Sequence, residues 1–196
     1  MSPRWTQAKM RELVHEERTG IGLTPFQPLD PYSLAAEHGI DVYPIDQLAD
    51  PLCSQEIVQY FMTTRRTVWS AALIAIGPSR LIIENTAHSV TRRRSSLAHE
   101  LGHHFLEHEF DDVLLTENGC RRFDRAKEKQ ATFVSGELLI PLQAAQRAAY
   151  DEQTNEQVAA AFGVSEQFAQ MCMAGPRVVA RRAIEKQAAA RGRSPC

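Results

Sequence analysis

Two histidines four residues apart, with a glutamate after the first, form the H-E-x-x-H motif His99-Glu100-Leu101-Gly102-His103. On a helix, residues i and i+4 stand one turn apart on one face, so both imidazoles can hold a single metal ion. The adjacent glutamate then reaches the water that such an ion polarises. This is the minimum apparatus for metal-assisted hydrolysis of a peptide bond. The flanking residues predict the helix such a motif needs. From Thr91 to Glu109 no proline intervenes, and Leu97, Leu101, Phe105 and Leu106 form an apolar stripe. Gly102 costs that helix about 1 kcal/mol against alanine, a reason to expect close approach of a sheet or second helix there.

Two further histidines follow the motif. His104 is about 100° around the helix from His103. On a continuous helix His108 stands about 13 Å along the axis from His99, too far to share one ion. Both are expected at the surface or behind the ligands. The longer pattern with a third histidine is absent, since Leu106 and Glu109 occupy its glycine and histidine positions. A third ligand must come from elsewhere.

A second helix is predicted from about Asp124 to Ile140, stopped by Pro141. A glutamate on it would complete a His-His-Glu site with a fourth position left for water. The downstream candidates are Glu117, Glu128 and Glu137. Glu128 shares a stripe with Ala131, Ser135 and Leu138, whose small members allow close packing. Glu137 lies about 180° around the helix from Glu128. Glu117 sits in Thr116-Glu117-Asn118-Gly119, which reads as a turn.

These two segments, Leu97-Ala98-His99-Glu100-Leu101-Gly102-His103 and Glu128-Lys129-Gln130-Ala131-Thr132-Phe133 through Leu138-Leu139-Ile140-Pro141, resemble the ImmA/IrrE metallopeptidases. The resemblance extends upstream to Leu81-Ile82-Ile83-Glu84-Asn85 and Arg92-Arg93-Arg94, and covers about residues 30–175. Phe133-Val134-Ser135-Gly136 departs from the family's usual small residues, a matter of packing. The resemblance implies that His99, His103 and Glu128 bind Zn²⁺ and that Glu100 is the catalytic base. Manganese or iron suits the same ligands. It further implies a protein substrate, a helix-turn-helix repressor cut to release stress-response or mobile-element genes. Competing readings are a non-proteolytic metal- or DNA-binding regulator, or one component of a toxin–antitoxin pair. His104 and Tyr60 are candidates for a further donor to the oxyanion.

The rest of the chain must position these residues. Its 196 residues, 43% hydrophobic and 23% charged, suit one compact soluble unit with a small appendage. A net charge of −2 gives no general attraction to nucleic acid or anionic lipid. No apolar stretch reaches membrane-span length and no signal-peptide core is present, so a cytoplasmic protein is expected. The scattered Cys53, Cys120, Cys172 and Cys196 read as reduced thiols.

Residues 1–29 comprise a polar helix and a proline-rich connector, and 30–150 a peptidase core. Within that core, Asp30-Pro31 starts a helix that Gly39 ends, and Ile40–Tyr43 reads as a strand. Apolar runs at Thr67–Ile76 and Leu81–Glu84 flank a Gly77-Pro78-Ser79 turn. Gln55–Thr64 fits helix or strand. The fold class expected is α+β, a small sheet packed on metal-binding helices in a minimal zincin-like core. Residues 151–187 form a helix-turn-helix-like unit with Ser165 capping its second helix, and 188–196 a disordered tail. That second helix starts with no Lys or Arg, which disfavours direct DNA reading. Six cations against Glu185 alone make the stretch from Pro176 net +5 and the one route to it. Oligomeric state is not readable.

Overall fold

The computed structural model describes residues 5–48, 54–67, 69–108 and 124–191. Its architecture is α+β, with eight α-helices and one three-stranded sheet among those residues. The N-terminal polar helix is α1 (Gln7–Gly20), and α2 (Pro31–Glu37) begins where Asp30 accepts the Tyr32 N–H at 3.3 Å. After β1 (Asp41–Pro44), the ambiguous segment forms a helix, α3 (Gln55–Met62), capped by Ser54. Strands β2 (Ala71–Ile76) and β3 (Ser79–Glu84) make a hairpin around Gly77, whose φ of +57° suits a tight strand reversal. β3 pairs antiparallel with β2 and parallel with β1, so the order is β1-β3-β2 and β2 is an edge strand.

The helices that follow are α4 (Val90–Phe105), α5 (Arg125–Leu139), α6 (Leu142–Tyr150), α7 (Asn155–Phe162) and α8 (Glu166–Arg191). The motif helix stops four residues before its expected end, because Glu107 turns left-handed at φ +51°. Its stripe is buried as its spacing requires: Leu97, Leu101, Phe105 and Leu106 join Leu73, Ile82, Val134 and Leu138 in one core. α5 matches its expected span, with Asp124 accepting the Ala126 N–H at 2.8 Å. Ser165 accepts the Phe168 N–H at 3.2 Å, as expected of a cap. α8 then continues through Pro176 to Arg191, past position 188, where a disordered tail was expected. Ala188-Ala189-Ala190, strong helix formers, account for that extension.

The three arginines at the start of α4 each hold a different part of the frame. Arg92 donates to Ser70 Oγ at 3.0 Å, just before β2. Arg93 pairs at 3.3 Å with buried Glu84, which also accepts from Tyr32 Oη at 2.7 Å. Arg94 donates to the carbonyls of Leu29 and Gly163, at 2.7 and 3.0 Å, joining the connector to the end of α7. Buried Asn85 donates to the carbonyls of Phe61, Arg66 and Trp69, pinning the loop that leads into β2. Buried Arg18 likewise ties α1 to the Leu138 carbonyl of α5, and burial lowers its pKa to about 10.

Candidate metal centre

The crossing of α4 and α5 brings the chemical groups together. At Gly102 the two backbones touch: a Cβ there would stand 2.9 Å from the Ala131 carbonyl oxygen. Close approach of a second helix is therefore the reason for the glycine. One turn before Ala131, Glu128 projects onto the same seam. His99 Nε2 lies 3.1 Å from Glu128 Oε2 and 3.1 Å from His103 Nε2, and His103 Nε2 is 3.5 Å from Glu128 Oε1. Ligands at about 2.0–2.1 Å from a tetrahedral ion stand roughly 3.3 Å from one another. The three groups thus fit one metal ion, and they form a cluster able to hold one.

Glu100 lies next to this cluster, buried, and its Oε2 accepts the backbone N–H of Leu73 at 3.0 Å. That bond joins the motif helix to the edge strand β2, a contact spanning 27 residues that no local pattern shows. Beside it opens a cleft of about 340 Å³, lined by Ala71, Ser96, His99, Glu100, Phe168 and Met171 among others. The last two come from the first turns of α8. The helix expected to serve as the second half of a helix-turn-helix is therefore one wall of the cleft.

The other candidates separate cleanly. Glu137 faces away from the cluster, accepting from Arg11 Nε at 2.7 Å and from the Leu142 N–H at 3.0 Å. Glu117 lies outside the described residues. His104 turns toward α2, its ring 5.8 Å from that of His38, and burial holds it below the ordinary histidine range. Tyr60 accepts from Arg65 Nε at 3.0 Å and packs on Phe61. Neither His104 nor Tyr60 is among the residues lining the cleft, so their candidacy as oxyanion donors finds no support. His108 departs from the helical geometry assumed for it. Because α4 ends early, its ring folds back, and its Nδ1 lies 2.9 Å from His103 Nδ1. Burial holds its pKa below the ordinary value.

The family model of the peptidase M78, IrrE N-terminal-like domain matches residues 35–173. The chain belongs to this family. A search of curated proteins finds no match. Membership makes a metallopeptidase-type function the family's reading of this cluster. The matched stretch includes all three members of the cluster, Glu100 and both α8 residues of the cleft wall. No helix among the described residues is long and apolar enough to cross a membrane. Cys172 is a free thiol, raised to about 12 by burial and by the charge of Glu137. Cys53, Cys120 and Cys196 lie outside the described residues.

Proposed function

We propose that this chain is a cytoplasmic zinc-dependent endopeptidase whose substrate is a helix-turn-helix repressor, cut to relieve repression. The observation that carries the reading is the meeting of His99 Nε2, His103 Nε2 and the Glu128 carboxylate within 3.5 Å. Three groups that can each present a lone pair to one point make a pocket suited to a cation. A bound zinc ion would supply Lewis acidity there, bringing the pKa of a water toward ~7. His99, His103 and Glu128 are the residues that would hold it.

Glu100 is the base in this reading. The Leu73 N–H fixes its carboxylate against β2, so it meets the reacting water already oriented. As the water oxygen bonds to the scissile carbonyl carbon, Glu100 takes the proton, then returns it to the amine as the C–N bond breaks. Ser70 and Ala71 run along the cleft at the sheet edge, where an extended peptide can add by backbone hydrogen bonds. Phe168 and Met171 of α8 add an apolar lining to the same cleft.

The repressor as substrate rests on the family resemblance. α8 supports a protein-directed role over DNA reading, because its first turns are built into the cleft. The test is Glu100→Gln, co-expressed with a candidate helix-turn-helix repressor from the same genome. Zinc content is expected to match the wild type while cleavage falls by at least the ~10²–10⁴-fold attributable to a general base. Undiminished cleavage overturns the assignment. Salt-sensitive DNA binding without any cleavage by the wild type favours the non-proteolytic regulator instead.

A further inference from the structure

Among the described residues five helices, α1, α2, α4, α6 and α7, end in the same way. A residue in the left-handed region follows the last turn, and two N–H groups fold back onto the final carbonyls. The geometry sets the residue after the left-handed one against the residue five before it. In α1 that pair is Leu23 and Arg18, in α2 Ile40 and Ala35, in α6 Gln153 and Ala148, and in α7 Val164 and Ala159. In α4 it is His108 and His103: the His108 N–H donates to the His103 carbonyl at 3.1 Å, and that of Glu107 to His104 at 3.0 Å. Glu152, at φ +53° in α6, shows that a left-handed glutamate alone has no special meaning. What sets α4 apart is that its paired side chains are two imidazoles.

With a metal on His103 Nε2, the hydrogen bonds around these rings would fix where the protons sit. A histidine that holds a metal through Nε2 keeps its proton on Nδ1. His103 Nε2 faces His99 and Glu128, so its Nδ1–H donates to His108 Nδ1, 2.9 Å away. His108 must accept there, and its own proton is on Nε2. That nitrogen lies 2.9 Å from Gln130 Oε1, which takes the bond. Gln130 stands two residues beyond Glu128 on α5. One chain of hydrogen bonds thus runs from the cluster, around the end of α4, to the helix carrying the third ligand.

We propose that His108 is a positioning residue: it sets the tautomer and ring angle of His103 and, through Gln130, fastens the end of α4 to α5. This inference rests on the metal reading above. The test uses the full chain and zinc alone, with affinity measured by competition against a chromophoric chelator. His108→Phe keeps a ring but no acceptor, and is expected to weaken zinc by about 10–100-fold with the apo melting temperature little changed. His108→Gln offers both an acceptor and a donor and is expected to restore most of that loss. In the zinc-loaded wild type, two-bond ¹H–¹⁵N spectra should show His103 protonated at Nδ1 and His108 at Nε2. Should the phenylalanine variant fail to fold, Gln130→Leu carries the test and must also weaken zinc. Wild-type affinity in His108→Phe, or in Gln130→Leu if that variant replaces it, overturns the proposal, as does the opposite tautomer at His108. A wild type that binds no zinc overturns the metal reading itself, and the two failures are thereby distinguished.

Discussion

The two faces of α5 carry one glutamate each, nine residues apart in sequence. Glu137 faces α1 and finds its positive partner within the protein, in Arg11, together with the Leu142 N–H. Glu128 faces α4 and meets two imidazole nitrogens, ligand atoms like its own oxygens. One carboxylate completes the architecture; the other joins a cluster able to hold a cation from outside. The nature of the partner, rather than burial or the presence of a hydrogen bond, separates the framework face from the chemical one.

The largest test of this contrast is the pair Glu128→Gln and Glu137→Gln. The first is expected to lower zinc affinity by orders of magnitude, read by chelator competition, with apo stability near that of the wild type. The second should retain zinc and lose about 1–2 kcal/mol in denaturant titration, because an ion pair and a backbone N–H lose their acceptor charge. Equal zinc affinity in both variants would erase the distinction.

Glycines on the two helices sharpen it further. Gly102→Ala places a methyl 2.9 Å from a backbone oxygen, so the helices must part. A loss of about 1–3 kcal/mol is expected, with weaker zinc binding because Glu128 is carried away from the histidines. Gly136→Ala, on the same helix as Glu137, meets Cys172 Sγ at an ordinary 3.7 Å. It should stabilise the protein by about 0.5–1 kcal/mol through helix propensity, with zinc affinity unchanged. The smallest effect is expected at Glu107→Gly, where φ is +51°. Relief of the left-handed side chain should raise the melting temperature slightly, by up to about 1 kcal/mol in stability, and leave the His103–His108 contact in place.

Much of the His-His-Glu cluster was legible because its logic is local. The i, i+4 histidines, the Glu128–Ala131–Ser135 stripe and the opposed Glu137 all follow from helical period, and Gly102 announced the crossing. What escaped depends on contacts distant in sequence or on an unmarked turn. Nothing near Glu100 points to the Leu73 N–H, 27 residues earlier. Glu107 ends α4 where a glycine would have signalled the stop, so His108 was placed on a helix that does not reach it. The arginine run looked like one feature, yet each side chain serves a separate tertiary contact. The α+β class was legible from the apolar runs, whereas the parallel pairing of β1 with β3 was not, since register across a crossover leaves no mark on either strand.

The order in which this chain leaves the ribosome gives the cleft wall in α8 another significance. His99, Glu100, His103 and Glu128 are all synthesised before Phe168 and Met171, and Arg94 must wait for the Gly163 carbonyl. A nascent chain that has emerged only through α5 therefore holds every group of the His-His-Glu cluster with the α8 side of the cleft still missing. Completion of the cleft thus waits on the emergence of α8.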